Sequence, residues 1–333
     1  MGTYTVDALW HPALEMAVGL QTYLSVDLHK VVDLGAAWRT SVRRTLPRDF
    51  AAQLQSMTGQ QETSVLLAAA SAYIVQWAQE HGGSEQDFIT WLDGLDVAEL
   101  YARTSLLVPP GTGVPTNLIA IKESLVDVLT KWYAHYWRGV DRRILAGLAT
   151  AHEALCAQLT TGSNPDVIEA VSGGVRLKAD ESFDRVILIP QYHARPWNIY
   201  GLLGRTVLQF YPVEALPPLP DEPSARLMRI LRALNEPKRL AILRLLGGES
   251  KTMSEIARQV HLSKATVHYH LVLLRAAGLV RVETTLNRSP GDSYMLRRTA
   301  IEDLPREIAA YLDQAATGPG QDEPEPRIKT PKG

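Results

Sequence analysis

Apolar residues recur at helical spacing through much of the chain. Within residues 66–77 and again within 125–136, apolar side chains return every three or four positions, which predicts amphipathic helices. Short β-branched and aromatic runs follow at Val175 and Leu177 and at residues 185–189, 197–200 and 206–211. These runs predict a small antiparallel sheet that closes a mostly helical first domain. The expected fold is mainly α with a little β.

A cleaner helical pattern begins at Ser224. Two apolar stripes predict two helices, the second starting at Pro237 and ending at Gly247. The segment Thr252-Met-Ser-Glu255 has the spacing of a capping box, in which the Thr hydroxyl and the Glu carboxylate each accept a backbone N–H. It predicts a short helix that ends near residue 260.

A three-residue turn at residues 261–263 leads to a third helix over residues 263–277, which Ser263 caps. At about 100° per residue, Val267, Leu271 and Leu274 share the core-facing side. The outward side is predicted to carry Ala265, His268, Tyr269 and Val272, with Lys264 and Thr266 on its flanks. The candidate DNA contacts on this helix are Ser263, Lys264, Ala265, Thr266, His268 and Tyr269. A small residue and several polar ones at the start of such a helix are typical of a recognition helix in the DNA major groove.

A β-hairpin is predicted after this helix, with one strand over residues 279–284 and a return strand at Tyr294 and Leu296. Arg288 lies at the tip, where it would reach phosphate or the minor groove. Lys251, Lys264, Arg275 and Arg288 are interpreted as phosphate contacts because their elements flank the groove. Arg226, Arg229 and Arg232 are interpreted as a solvated face.

Proline and charge mark the domain boundaries. Residues 212–223 contain five prolines and predict an extended linker. It would connect a first domain, residues 1–211, to a second domain, residues 224–315, which is predicted to bind DNA and is called the reader below. Residues 316–333 are predicted to be disordered. Residues 221–300 hold 14 Lys and Arg against 7 Asp and Glu, whereas the chain as a whole carries −2. One basic segment in a mildly acidic chain favours binding to nucleic acid.

The segments ALNEPKRLAILRLL, residues 233–246, and MSEIARQVHLSKATVHYHLVLLRAAGLV, residues 253–280, resemble the ArsR-type winged helix-turn-helix regulators. The resemblance implies a homodimer with its first and last helices, the latter over residues 301–312, at the interface. It also implies two recognition helices on a pseudo-palindromic operator in double-stranded DNA. The layout, with residues 183–197 ahead of the reader, resembles bacterial regulators whose front domain has no assigned role.

Three positions depart from that family. Metal sensors in it carry paired cysteines where this chain has residues 253–257, and histidines in the last helix; both are missing here. Cys156 is the only cysteine and is expected to be buried. We therefore expect no metal site and no cofactor. His261 stands where the family usually has glycine, so we expect either an unfavourable φ at His261 or a slightly different turn.

The first domain offers candidates for an effector pocket or a partner surface: Trp132, Tyr136, His193, Arg195 and Trp197. Packing in the core is the alternative for the aromatic residues. The chain lacks a signal-peptide pattern, and its longest apolar helical run, residues 64–77, is shorter than the roughly 20 residues of a membrane span. The expectation is a cytoplasmic, dimeric transcription regulator that is not an enzyme. There are two alternatives. The winged helix could bind another protein, or the protein could be an enzyme whose winged helix serves to localise it.

Overall fold

The computed structural model describes residues 4–25, 32–108, 113–160, 164–218, 222–285 and 291–316. Helices account for most of this length. The helices of the first part are α1 (Pro12–Leu24), α2 (Gly35–Thr45), α3 (Arg48–Met57), α4 (Gln61–Glu80), α5 (Glu85–Gly94), α6 (Val97–Leu107), α7 (Leu118–His135), α8 (Arg142–Leu159) and α9 (Asn164–Val171). Those of the second part are α10 (Ala225–Leu234), α11 (Pro237–Leu246), α12 (Met253–Gln259), α13 (Lys264–Ala276) and α14 (Arg298–Ala316).

The strands form two small sheets. They are β1 (Thr5–Ala8), β2 (Val175–Leu177), β3 (Arg185–Gln191), β4 (Ile199–Leu203), β5 (Thr206–Pro212), β6 (Lys251–Thr252), β7 (Val280–Thr284) and β8 (Ser293–Leu296). One sheet has the order β1-β3-β5-β4 and the other β2-β7-β8-β6. A mainly helical chain with small sheets and a C-terminal helix-turn-helix is confirmed.

The prediction of an antiparallel sheet in the first part is wrong. Strands β1, β3 and β5 run parallel to one another, and β4 alone is antiparallel, paired with β5. β3 is buried from Val186 to Gln191 instead of alternating between buried and exposed. A strand with packing on both faces has this continuous burial, and such burial is typical of parallel strands.

The prediction that Val175 and Leu177 belong to the sheet of the first domain is also wrong. It pairs in parallel with β7, with Val175 opposite Val282 and Leu177 opposite Thr284. Lys178 N–H extends the ladder by donating to the Thr284 carbonyl at 2.9 Å. The hairpin of the reader therefore continues into a strand from the first part of the chain.

The first sheet lies between two clusters of buried side chains. Ile187 and Ile189 belong to the cluster of the helices α1, α3, α4, α5 and α7, where Trp132 and Tyr73 are fully buried. Val186 and Leu188, on the opposite face of the same strand, belong to the cluster that contains the core of the second part. Alternate side chains of a strand point to opposite faces, so one strand joins both cores.

The proline-rich segment packs on the first part over its described residues, 212–218. Val213 N–H donates to the carbonyl of Gln191 at 2.8 Å. A Cβ built on Gly147 of α8 would lie 2.3 Å from the carbonyl oxygen of Ala215, so only glycine allows this approach. This contact holds the start of the segment against α8.

Candidate nucleic-acid interface and adjoining cavities

Helices α10 and α11 are joined by a tight, capped turn. The Glu236 carboxylate accepts the N–H groups of Lys238 and Arg239, at 3.0 and 2.9 Å, and Pro237 occupies the first turn of α11. Arg239 is buried, and its guanidinium donates to the carbonyls of Ala233 and Arg232 at 2.6 and 2.8 Å. These bonds satisfy carbonyls that the end of α10 leaves free and lock the two helices together.

The predicted capping box at the start of α12 is confirmed. Thr252 N–H donates to Glu255 Oε2 at 2.7 Å, and Glu255 N–H donates to Thr252 Oγ1 at 3.3 Å. These hydrogen bonds to the ionised carboxylate hold the pKa of Glu255 below its ordinary value. The cap fixes where the short helix begins.

The turn between α12 and α13 is a Schellman motif. Leu262 N–H donates to the carbonyl of Ala257 at 3.1 Å, and His261 has a φ of 53°. Of the two outcomes expected at His261, the unfavourable φ is confirmed. A left-handed conformation costs an L-residue roughly 1–2 kcal/mol, so this turn is strained by a side chain where glycine would be relaxed.

Helix α13 begins at a Ser263 cap, with Thr266 N–H donating to Ser263 Oγ at 3.1 Å. Its predicted core face is confirmed, because Val267, Leu271 and Leu274 are all buried. The opposite face is open to solvent over its first two turns. Its exposed residues are Ser263, Lys264, Ala265, Thr266, His268 and Tyr269. Tyr269 is 60% exposed.

The two strands β7 and β8 form the predicted hairpin, with Val282 opposite Tyr294. Arg288 lies outside the described residues. Lys251 stands in the edge strand β6, opposite Tyr294 of β8 and next to the start of α12. It is therefore within the reader and beside the helix-turn-helix.

Arg275 is placed differently from the other predicted phosphate contacts. It lies in the last turn of α13, where it lines a small cavity together with Ser172, Trp197 and Asn198 of the first part. Lys264 lies at the opposite end of the same helix. The two cations therefore face different surroundings.

The comparison with protein families matches this part of the chain. Residues 234–283 match the family model of a helix-turn-helix domain. The match begins at the end of α10 and ends within β7. A search of curated proteins finds no match to the chain. Within the described residues, no helix combines the length and apolarity that crossing a membrane requires.

The five candidate effector-pocket residues are divided among three places. Tyr136 and His193 line a cavity of about 380 Å³, and Arg195 and Trp197 line another of about 680 Å³. Trp132 lines neither cavity. It is fully buried and donates its indole N–H to the carbonyl of Met16 at 3.2 Å.

A series of buried side-chain hydrogen bonds, which the sequence does not predict, runs behind the smaller cavity. Glu15 Oε1 lies 2.5 Å from His193 Nδ1, His193 Nε2 lies 2.8 Å from the Tyr136 hydroxyl, and Trp38 Nε1 donates to that hydroxyl at 3.0 Å. Burial raises the pKa of Tyr136, so its hydroxyl keeps its proton. An ionised Glu15 carboxylate can only accept, so Nδ1–H of His193 is the donor in that contact. The missed signal was a glutamate within the apolar run of α1, where every residue from Ala13 to Leu20 is buried.

An ionic cluster borders the larger cavity and joins the two parts of the chain. Arg229 of α10 donates to Asp33 and, at 2.7 Å, to Glu214. Arg195 donates to the other oxygen of Glu214 at 2.7 Å. The interpretation of the α10 arginines as a solvated face is wrong for two of them, because Arg226 also forms an ion pair, with Glu307 of α14 at 2.9 Å.

No cluster of three or more potential metal ligands is found among the described residues. Cys156 is exposed, contrary to the expectation of burial, and its sulfur lies 3.7 Å from Nε2 of His152. On helix α8 it occupies a position one turn after that histidine. The core side of this turn is taken by Leu155, which is buried.

Proposed function

We propose that this protein is a sequence-specific, double-stranded-DNA-binding transcriptional regulator of the ArsR type, which acts as a homodimer and whose first part modulates binding. The observation that carries the proposal is the open face of α13 within a capped helix-turn-helix. Recognition helices need a small and polar outer face at their N-terminal turns to approach base edges. The net charge of +7 over residues 221–300 supports the same reading.

The exposed residues divide by chemistry into two roles. Ala265 lets the helix approach the groove closely, and Thr266, His268 and Tyr269 reach base edges. Ser263 and Lys264 lie at the helix N-terminus, where N–H groups and positive charge favour phosphate. Lys251 and Arg288 contact further phosphates on the hairpin side. Arg275, which borders the first part of the chain, contributes least to this set.

An open apolar groove supports the homodimer. It lies between α11, β8 and α14 and is lined by Leu240, Leu243, Ile301 and Leu304, among others. Leu240 is 49% and Ile301 36% exposed. Large apolar side chains exposed together mark interaction surfaces. The same groove on a second copy would cover them about a two-fold axis, which matches a palindromic operator.

Two contacts support modulation by the first part. Strand β2 extends the sheet that contains the hairpin, and the Arg229 ionic cluster fastens α10 to Asp33 and Glu214. A change in the first part would therefore displace both β7 and α10 of the reader. We propose that this regulation involves no catalysis by the first part.

Selection of bound duplexes from a random pool, with the full chain, tests the proposal. We expect one enriched, pseudo-palindromic sequence and an affinity that falls steeply between about 50 and 200 mM salt, since each neutralised phosphate adds roughly 0.9 to the slope of log K against log salt. A pool with no enriched sequence and a flat response to salt would refute DNA reading and favour a protein-binding module.

A further inference from the structure

The larger cavity lies where the first part of the chain meets helices α10 and α13. Its volume of about 680 Å³ is within the range of about 300–1,000 Å³ that small-molecule sites occupy. Its lining includes Tyr192 and Arg195 from the first part, Met228 and Arg229 from α10, and Leu273 and Ala276 from α13. A ligand here would touch the recognition helix and the first part at once.

The charged side chains around this cavity carry a small excess of positive charge. Its lining includes four arginines, Arg143, Arg195, Arg229 and Arg232, against three carboxylates, Asp33, Glu214 and Glu222. Asp33 and Glu214 are already neutralised by Arg195 and Arg229. Arg232, one turn after Met228 on α10, also lines the cavity and pairs with no carboxylate of the described residues. A guanidinium without a carboxylate partner favours a ligand with an acidic group.

Much of the remaining lining is apolar. Val32, Leu216, Pro217, Met228, Leu273 and Ala276 contribute side chains without charge. A ligand that fits both kinds of wall has an apolar or aromatic body and one acidic group. Inorganic anions would leave the apolar walls in contact with water, and neutral apolar molecules would leave Arg232 unpaired.

We propose that this cavity binds a small organic anion with an apolar body, and that its binding changes DNA affinity. The second half of this inference rests on the proposed function. Leu273 lies four residues after Tyr269 on α13, about 6 Å along the helix axis. A helix of this length moves as one body, so a ligand that displaces Leu273 also displaces the exposed face. A coupling of the usual size would change operator affinity by about 5–150-fold.

Two fluorescent probes with the same body test the ligand class on the full chain. Anilinonaphthalene sulfonate carries one acidic group, and N-phenylnaphthylamine lacks it. We expect the sulfonate to bind at one site per chain and the neutral probe to bind at least about tenfold more weakly, since a hydrogen bond to a charged group is worth that much. Arg232→Gln should weaken sulfonate binding about tenfold, whereas Arg306→Gln, on exposed α14, should not.

Ala225→Trp tests the location. Ala225 is exposed at the first turn of α10 and lines the cavity, so an indole there narrows the cavity without entering the core. We expect this variant to unfold at the same urea concentration as the parent and to lose sulfonate binding. Equal binding of both probes, equal effects of the two arginine variants, or unchanged binding to Ala225→Trp would each overturn the site.

The DNA measurement is separate. If the sulfonate binds as expected and shifts the affinity for the selected duplex, both halves of the inference hold. If the parent protein selects no duplex but binds the sulfonate, the proposed function fails and the ligand site stands. If the parent reads DNA and the sulfonate binds without changing its affinity, the coupling through α13 is refuted.

Discussion

Glu15 and His193 are separated by 178 residues, and yet Oε1 of Glu15 lies 2.5 Å from Nδ1 of His193. The same oxygen accepts the backbone N–H groups of Tyr192 and His193 at 3.0 and 2.9 Å. Both side chains are almost fully excluded from water. One carboxylate oxygen on α1 therefore satisfies three donors just beyond β3, and it joins the helical core to the sheet.

The loss of this carboxylate should destabilise the whole protein. Glu15→Ala leaves three buried N–H groups without an acceptor, and we expect a loss of about 3–5 kcal/mol in the free energy of unfolding, as for other broken buried pairs. Glu15→Gln keeps one carbonyl oxygen and should cost less, about 1–3 kcal/mol. Urea unfolding measures both. Glu123→Ala, at an exposed position of α7, is the control and should change stability by less than about 0.5 kcal/mol.

The turn before α13 should become more stable when His261 is replaced by glycine. His261→Gly relieves the left-handed strain, and after the extra freedom of glycine in the unfolded chain we expect a gain of about 0.5–1 kcal/mol. Thermal or urea unfolding measures it. Gly278→Ala is the opposite test, because Gly278 has a φ of 67°, and it should lose about 1 kcal/mol or more. A loss of stability in His261→Gly would show that the imidazole makes a compensating interaction.

Substitutions of base-contacting and of phosphate-contacting residues on α13 should have different effects on DNA binding. Tyr269→Ala and His268→Ala should reduce discrimination between the selected duplex and random DNA by about 1–3 kcal/mol. Lys264→Gln should weaken both duplexes equally and lower the salt slope by about 1. Titrations at two salt concentrations measure both effects. Arg288→Ala is expected to behave like Lys264→Gln; identical behaviour of all four variants would contradict the division.

Zinc, cadmium and arsenite should leave operator affinity unchanged. One exposed cysteine cannot supply a thiolate cluster, and four-coordinate zinc sites need several sulfur or nitrogen ligands. Titration of the protein–DNA complex with each metal measures the effect. A tenfold loss of affinity at micromolar metal, reversed by a chelator, would overturn the prediction.

A charge in the apolar groove should dissociate the dimer. Leu240→Glu and Ile301→Glu each place a carboxylate on the surface that would meet the second copy, and burying an unpaired charge is strongly unfavourable. Sedimentation should show dimers for the parent protein and monomers for these variants. Val97→Glu, at a 60% exposed position of α6, is the matched control and should remain dimeric. A parent protein that sediments as a monomer would refute the dimer itself.

The helix-turn-helix could be predicted from the sequence because the interactions that define it are local. The Thr252–Glu255 box and the Ser263 cap each join residues three apart, and the buried stripe of α13 follows the period of the helix. The unusual φ of His261 follows from its position after α12. Each of these depends on neighbours within one or two turns, so the order of residue types is sufficient to determine them.

The tertiary structure decided the rest. Arg229 and Asp33 are 196 residues apart, and nothing in the sequence around either residue indicates its partner. The sequence predicts that Val175 lies in a strand, but it does not indicate which strand is the neighbour. A strand edge can pair with any exposed edge of suitable direction, so only the assembled fold selects β7 over β3. Local spacing thus determined the helix-turn-helix. The cavity beside it, the Glu15–His193 contact and the mixed sheet arise from chain segments that meet only when the separate cores pack together.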